Sequence, residues 1–335
     1  MKSLDNCLIV GAGMAGLMAA HRLQAEGVKV TLLDKGRGVG GRLATRWADS
    51  ETGAKAYFDH GAQFFTVRDA RFQRFVNEWR NGGLVREWSR GFPATLHSAN
   101  DDGHPRYCGV AGMNAIARHL AQGLDVRLSA QVKRLSHDDA LWQAELTTGE
   151  KVAANALVLT PPVPQSLTLL DDVLAQWPAA TREALAEIAY DPCFAVLATL
   201  AGPSGLPAPG ALQLQREPIA WIADNHRKGI SPDVHTLTIH AGPEFTRTHW
   251  ETPYDEVAQL LLDAAREWTP APVQSWQVHR WRYSQPQRLY PEPCLLMTAP
   301  LPVALAGDGF GAARVEGAAL SGLAAAEALL AYANI

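Results

Sequence analysis

Residues 9–35, IVGAGMAGLMAAHRLQAEGVKVTLLDK, decide the fold. Cys7–Val10 is apolar enough for a buried parallel strand. Gly11, Gly13 and Gly16 then spell GxGxxG, and Leu17, Ala20 and Leu23 recur at helical spacing. Gly27 ends that helix, and Val28–Leu33 reads as a second strand that delivers Asp34. Gly11 permits a tight turn, Gly13 lets backbone N–H groups approach a pyrophosphate, and Gly16 lets helix and strand pack closely. The helix start offers partial positive charge to phosphates. Asp34, eighteen residues after Gly16, is placed to accept hydrogen bonds from a ribose diol. Strand, glycine turn, helix, second strand and terminal acid fall in order, which a Gly-rich surface loop does not require. The motif predicts a dinucleotide and does not separate FAD from NAD.

Composition narrows the class. The chain has 335 residues, 47% of them hydrophobic, enough for one large domain or two. A net charge of −4 without a basic run argues against nucleic acid. Cys7, Cys108, Cys193 and Cys294 are widely separated, with no CxxC and no metal-ligand spacing. They read as free thiols in a reducing, cytoplasmic setting, with no metal expected. Asp5 precedes the first apolar run, which itself carries the glycine motif, so this run reads as the first strand of the fold and not as a signal peptide. Ala318–Ala333 is Ala-rich but interrupted by Glu327, and reads as a buried helix, so no membrane partner is expected.

Along the chain, helices are expected at Phe72–Trp79, Met113–Leu124, Ala179–Ile188 and Tyr254–Trp268. Val126–Leu135, Trp142–Thr147 and Lys151–Leu159 read as strands before Pro161, Pro162 and Pro164 stop the sheet. Phe194–Ala201, Ala211–Ala223, Val234–Ala241 and Val273–Tyr283 alternate like antiparallel strands. Val303–Ala306 is a last short strand before a long Ala/Leu helix. The expected fold is α/β: a Rossmann-like cofactor domain made of residues 1–75, 104–165 and 295–335. Into it is inserted an α+β antiparallel-sheet substrate domain of residues 76–103 and 166–294.

Three further stretches bear on the cofactor. KGRGVGGRLATRW (35–47) puts a basic, Gly-rich loop beginning at Lys35 directly after Asp34; Gly40 and Gly41 allow close backbone approach, and Arg42 can neutralise pyrophosphate charge. In YFDHGAQFFT (57–66), His60 and Gln63 bracket Gly61 and Ala62, beside Phe64 and Phe65: small residues to pass a flat ring and aromatics to wall it. LAGDGFGAARVEGAALSGLAAAEALL (305–330) is a second strand–turn–helix; Asp308 suits ribityl or phosphate-linked hydroxyls, and the helix start at Val315, Glu316 and Gly317 suits the pyrimidine end of a flavin.

These positions, with the LTPPVPQ run after Val158, resemble the FAD-dependent amine oxidases, and the resemblance spans both chain ends. FDHGAQFFT, GVAGMNAIARHL and HRWRYSQP narrow it to the renalase branch and its short bacterial members. The resemblance implies an architecture of amine oxidase or p-hydroxybenzoate hydroxylase type and a noncovalently held FAD. Gly11, Gly13, Met14, Ala15 and Asp34 would then serve the adenosine diphosphate end, and the backbone of Val132 the adenine. Arg42 and the His60–Phe65 block would approach the middle and the ring, and Asp308, Val315 and Ala318 the ribityl and ring.

Typical amine oxidases of this family keep a lysine, linked by water to flavin N5, on the first substrate-domain strand. The corresponding stretch, Tyr190–Gly202, has none; no lysine occurs from Val152 to Arg227, and Lys228 falls in a polar turn. The renalase branch implies a different donor: the 2- and 6-dihydro isomers of NAD(P), with O2 reduced to H2O2. Period-2 alternation puts His279, Trp281 and Tyr283 on one strand face and Arg280 and Arg282 on the other, while Thr236, Thr238 and His240 share a face. His240, Trp281, Trp221, Tyr107 and Asn225 are the candidate pocket residues; Arg216, Arg227, Arg280 and Arg282 are candidates for a 2′-phosphate. Two other readings share the scaffold: an amine oxidase or desaturase-like flavoenzyme, and a flavin-free binding protein of the GDP-dissociation-inhibitor type.

Overall fold

The computed structural model describes residues 4–50, 53–95, 102–138, 140–214 and 216–333. The ends of the expected cofactor segments at 1 and 335, and part of the 76–103 segment, lie outside them. A six-stranded sheet runs in the order Leu295–Met297, Val303–Leu305, Ala156–Leu159, Asn6–Val10, Lys29–Leu33, Asp125–Arg127. The first pair is antiparallel and the other four pairings are parallel. Parallel strands are covered on both faces, which explains why Leu8, Ile9, Leu157 and Val158 form continuous apolar runs without alternation.

Helix Met14–Ala25 packs against the long C-terminal helix Arg314–Ala333. Their contact requires a glycine: a β-carbon on Gly322 would stand 2.1 Å from the Ala15 carbonyl oxygen. The C-terminal helix is long and apolar enough to cross a membrane by length and composition. Here Ala319, Ala325, Ala326 and Leu329 are buried in the core.

Two expected strands divide where the chain changes sheets. Val126–Leu135 becomes Asp125–Arg127 in the large sheet and Val132–His137 in a three-stranded meander with Trp142–Leu146 and Lys151–Ala154. Between them Ser129 turns at φ 53°, and Ser129 and Ala130 donate their N–H groups to the carbonyls of Gly36 and Asp34. Lys151–Leu159 likewise breaks at Asn155, whose N–H donates to Asn6 Oδ1 (2.8 Å). Asp125–Arg127 is an edge strand with Asp125 and Arg127 exposed, and Lys151–Ala154 exposes Lys151 and Ala153, so apolar alternation does not mark where either stretch changes sheets. The expected Ala211–Ala223 strand is a hairpin of Ala211–Gln213 and Ile219–Asp224.

The five-stranded antiparallel sheet orders Ala211–Gln213, Ile219–Asp224, Thr236–Ala241, Tyr190–Leu200, Val273–Pro286. Alternation divides it cleanly. Phe194, Val196, Ile222, Leu237 and Ile239 face helix Tyr254–Ala264 through Val257 and Leu261. The opposite face carries Ala195, Leu197 and Ala223, and meets a hairpin of Thr45–Asp49 and Lys55–Asp59 through Ala56 and Phe58. One row of register partners crosses this second face: Gln213, Trp221, His240, Ala195, His279.

Candidate functional site

The glycine motif does three separable things. Gly11 sits at φ +100°, where a β-carbon would meet Thr160 Oγ1 at 2.4 Å. A β-carbon on Gly16 would stand 2.0 Å from the Gly11 carbonyl oxygen, so helix and turn touch directly. Gly13 is different: the nearest atom to its hypothetical β-carbon is the Gly40 carbonyl oxygen at 3.9 Å, so space opens beside it. Gly13 is also the N-cap of helix Met14–Ala25, which has neither a capping side chain nor an acid in its first turn. The amides of Met14 and Ala15 at this start face no competing carboxylate, a setting for an anion.

Asp34 orders the floor of this cradle. Its two carboxylate oxygens accept from the N–H groups of Ala12 (2.7 Å) and Gly36 (2.7 Å). Each oxygen keeps a further lone pair for a ribose hydroxyl. Lys35 beside it is exposed. Val132 starts its strand two residues beyond Ala130, the donor to the Asp34 carbonyl, and its side chain is buried.

The two chain ends meet at Arg42 and Asp308. Arg42 Nη1 and Nη2 donate to Asp308 Oδ2 (2.5 Å) and Oδ1 (2.7 Å), a bidentate pair. Sequence reasoning gave the two residues separate ligand contacts; in the structure they hold each other. The backbone of Arg42 joins a third segment. Its carbonyl accepts from Ala62 N–H (2.8 Å), and a β-carbon on Gly61 would stand 2.0 Å from that oxygen. Gly41, at φ +52°, passes close to Gly13. Val315 is buried and Ala318 half-buried in the first turns of the C-terminal helix. Glu316 turns away from this cradle: its Oε1 accepts from the N–H groups of Arg68 (2.7 Å) and Asp69 (2.8 Å).

Beyond Arg42 a wall of imidazole and indole forms around His60. Trp281 Nε1 donates to the His60 carbonyl (2.8 Å), and so does His240 Nε2 (3.1 Å). A carbonyl only accepts, so the proton of His240 sits on Nε2. The His60 ring stacks on Trp281 (5.3 Å, 24°) and meets His279 edge-on (4.9 Å). Burial lowers all three imidazoles: His60 to about 3, with help from His279 and Arg46, His240 to about 4, and His279 to about 4, where Arg46 adds to the effect. At neutral pH the wall is uncharged.

Under it lies a buried ion pair. Lys228 Nζ donates to Asp59 Oδ2 (2.6 Å) and to the Gln63 carbonyl (2.6 Å), with both charged side chains fully buried. Asp59 Oδ1 also accepts from Thr45 Oγ1 (2.5 Å) and Met113 N–H (2.9 Å). Asn225, fully buried, accepts from the Asp59 N–H (3.4 Å) and donates to Thr238 Oγ1 (3.1 Å). Phe64 and Trp221 share an aromatic cluster with Phe92 and Trp88. Tyr107 packs on Phe65, and their backbones exchange two hydrogen bonds.

The structure therefore gathers His240 and Trp281 with His60, and sets Trp221 beside Phe64. Asn225 serves the Asp59 network, and Tyr107 is packed in the core that helix Met14–Ala25 shares with the C-terminal helix. Sequence reasoning missed His279, Asp59 and Lys228 as parts of the site. His279 shares the period-2 face of Trp281, and Asp59 adjoins His60, so both carried a signal. Lys228 did not, because a turn lysine normally reaches solvent.

A dinucleotide flavin fits this frame. The space beside Gly13 and the uncapped helix start suit its pyrophosphate. Among the described residues six buried side-chain polar atoms have no hydrogen-bond partner, and three of the six, His60 Nδ1, Gln63 Oε1 and Trp221 Nε1, belong to the wall and the aromatic cluster beside it. Buried polar groups are ordinarily satisfied, so unpartnered atoms around the wall suit a bound polar ring.

Comparison with known proteins agrees with this geometry. Residues 9–79 match the NAD(P)-binding Rossmann-like domain, and residues 67–330 match the flavin containing amine oxidoreductase family. Renalase of Mus musculus is 25% identical, over 98% of this chain and 100% of the mouse protein. Among solved structures, cyclohexylamine oxidase from Brevibacterium oxydans IH-35A superposes with a TM-score of 0.67 at 14% identity, covering 99% of this chain and 100% of that one. Reduced UDP-galactopyranose mutase superposes with 0.68 at 13% identity, covering 98% and 96%.

Proposed function

The chain belongs to the flavin containing amine oxidoreductase family, in its renalase-like branch, and from that premise we propose that it oxidises the 2- or 6-dihydro isomers of NAD(P) to NAD(P)+ with O2 as acceptor. Family membership makes it a flavin-dependent oxidoreductase; the donor and the fate of the electrons are our reading.

One observation carries the choice of donor. The wall offers no strong proton acceptor: its three imidazoles are held at about 3 to 4, and the nearest lysine is committed to Asp59 and the Gln63 carbonyl. Donors that must lose a proton as well as a hydride are poorly served there. A dihydropyridine is not such a donor. Its ring nitrogen expels hydride as the ring aromatises, so the protein has only to orient and desolvate it. A noncovalent FAD, held by the space beside Gly13 and by the Arg42–Asp308 clamp, would supply the hydride acceptor and the route for two electrons to O2, giving H2O2.

The chain's own residues supply the rest. Trp281 and His240 fix the His60 carbonyl and so set the angle of the wall. The indole face of Trp281 favours a ring that becomes cationic, and the neutral imidazoles do not oppose it. Gly61 and Ala62, seated on the Arg42 carbonyl, tie the wall to the cofactor segment. Arg42 and Asp308, by clamping both chain ends, keep the cofactor cradle in register with this wall.

Anaerobic mixing tests the proposal. The 2- or 6-dihydro isomer should bleach the flavin in a single rapid phase, leaving NAD+ as product, while ordinary NADH and simple amines should react far more slowly. Equal rates with NADH would overturn it, and faster bleaching by an amine would favour the amine oxidase reading.

A further inference from the structure

A dinucleotide donor brings a pyrophosphate, and possession of the fold does not say what receives it. The four arginines that the sequence offered for a 2′-phosphate are all engaged elsewhere, so none is free for the pyrophosphate either. Arg216 pairs with Glu267 (2.9 Å) and lies over Trp268. Arg227 donates to the Leu206 carbonyl. Arg280 and Arg282 lie over the Trp250 ring (4.3 and 5.1 Å), and Arg280 also donates to the Trp250 carbonyl (2.7 Å). Trp250 follows helix Pro243–Thr248, and these two arginines point to the sheet face opposite His279 and Trp281. Arg42 is bound by Asp308, and Lys228 by Asp59.

Arg46 is placed differently. In the hairpin it pairs with Phe58, whose buried side chain packs on Ala195 and Leu197. Cross-strand partners share a face, so Arg46 points toward the same sheet surface. That surface ends at the edge strand Val273–Pro286, and there Arg46 Nη1 donates one long hydrogen bond, 3.4 Å, to Gln277 Oε1. Gln277 lies two residues from His279 on the same face. Arg46 is half-buried and, among the described residues, makes no ion pair. Its positive charge is felt by His60 and His279, which puts it beside the wall without being part of it. A guanidinium without a carboxylate, at the open edge of an uncharged aromatic wall, is suited to a phosphate.

We propose that Arg46 is the phosphate-binding residue of the substrate site, holding the pyrophosphate of a dinucleotide whose nicotinamide ring lies against Trp281 and His279. The proposal rests on the dihydronicotinamide reading above and adds to it the means by which the site prefers a dinucleotide over a neutral nucleoside. Arg46 is thereby a specificity-determining residue and takes no part in hydride transfer.

The test compares two donors that share the reacting ring: a 6-dihydro isomer of NAD, and the corresponding dihydronicotinamide riboside, which has no phosphate. For the native protein, kcat/KM should favour the dinucleotide, and added salt should narrow the preference, because a half-exposed ionic contact is screened. Arg46→Gln should reduce the dinucleotide-to-riboside ratio of kcat/KM about tenfold, chiefly through KM for the dinucleotide, the size expected for one charge-assisted contact. Arg46→Lys should restore part of it. An unchanged ratio in Arg46→Gln, with flavin content and folding intact, would overturn the proposal. If the native protein oxidises neither donor, the reaction itself has been misread and the phosphate site falls with it. If it oxidises both and the ratio ignores Arg46, only the phosphate site falls.

Discussion

Replacing Lys228 by Met tests the join between the cofactor segment and the five-stranded sheet. The ammonium makes two short contacts, 2.6 Å to Asp59 Oδ2 and 2.6 Å to the Gln63 carbonyl, and neither charged side chain reaches solvent. Methionine fills similar volume but leaves the carboxylate with Thr45 Oγ1 and Met113 N–H as its donors. Removing one partner of a buried pair costs about 3–5 kcal/mol, because the other charge is left uncompensated. Urea unfolding at fixed, saturating FAD should report a loss of that order; fixed ligand matters because binding to the folded state raises apparent stability. Combining Lys228→Met with Asp59→Asn removes the stranded charge and should recover about 1–3 kcal/mol, the usual coupling of contacting residues. A single variant within about 0.5 kcal/mol of the native protein, the range of an ordinary surface change, would refute the account of the pair. So would strict additivity in the double variant.

The glycines give a sharper contrast between folding and binding. Gly16→Ala should fail to fold stably, since its β-carbon would stand 2.0 Å from the Gly11 carbonyl oxygen; Gly13→Ala should fold, but its β-carbon enters the space reserved for a pyrophosphate, so its far-UV spectrum should look native while flavin content falls. Acid should destabilise the wall. His60, His240 and His279 are lowered to about 3, 4 and 4, below the ordinary 6.5, so between about pH 4 and 6.5 the unfolded chain binds more protons than the folded one. Stability contributed by these groups is complete above that window and is lost as pH falls through it; urea midpoints measured from pH 7.5 to 4.5 should decline, and His279→Gln should flatten the decline.

The cofactor cradle was legible in sequence because its geometry is local. GxGxxG, Asp34 and the GVGGR loop each act through their own backbone, and a glycine at a fixed spacing reports a required turn or approach. The alternation that set His279 and Trp281 opposite Arg280 and Arg282 was legible for the same reason: side-chain period in a strand needs no partner. What was lost depends on distant partners. Lys228 reads as a surface lysine until Asp59, far away in sequence, is folded against it. Arg42 and Asp308 each look ready for a ligand until the chain ends meet. The breaks at Ser129 and Asn155 leave no mark in hydrophobicity, since they change which sheet a residue pairs into and that is set by distant partners, the Gly36 and Asp34 carbonyls and the Asn6 side chain. The arginines were misleading for a related reason. Facing away from the wall, Arg280 and Arg282 find an aromatic partner in Trp250, while Arg46, in a segment that read as a loop, belongs to a strand whose inner face meets the sheet edge.

The central claim is that both ends of this chain close around one noncovalent FAD, with the Arg42–Asp308 clamp joining them. Acid precipitation of the purified protein, followed by quantitation of the released flavin, tests it most directly. The account predicts a yellow protein that gives up close to one FAD per chain to the supernatant, and an Arg42→Ala variant that retains much less. A colourless native protein, or flavin that stays with the precipitated chain, would contradict it.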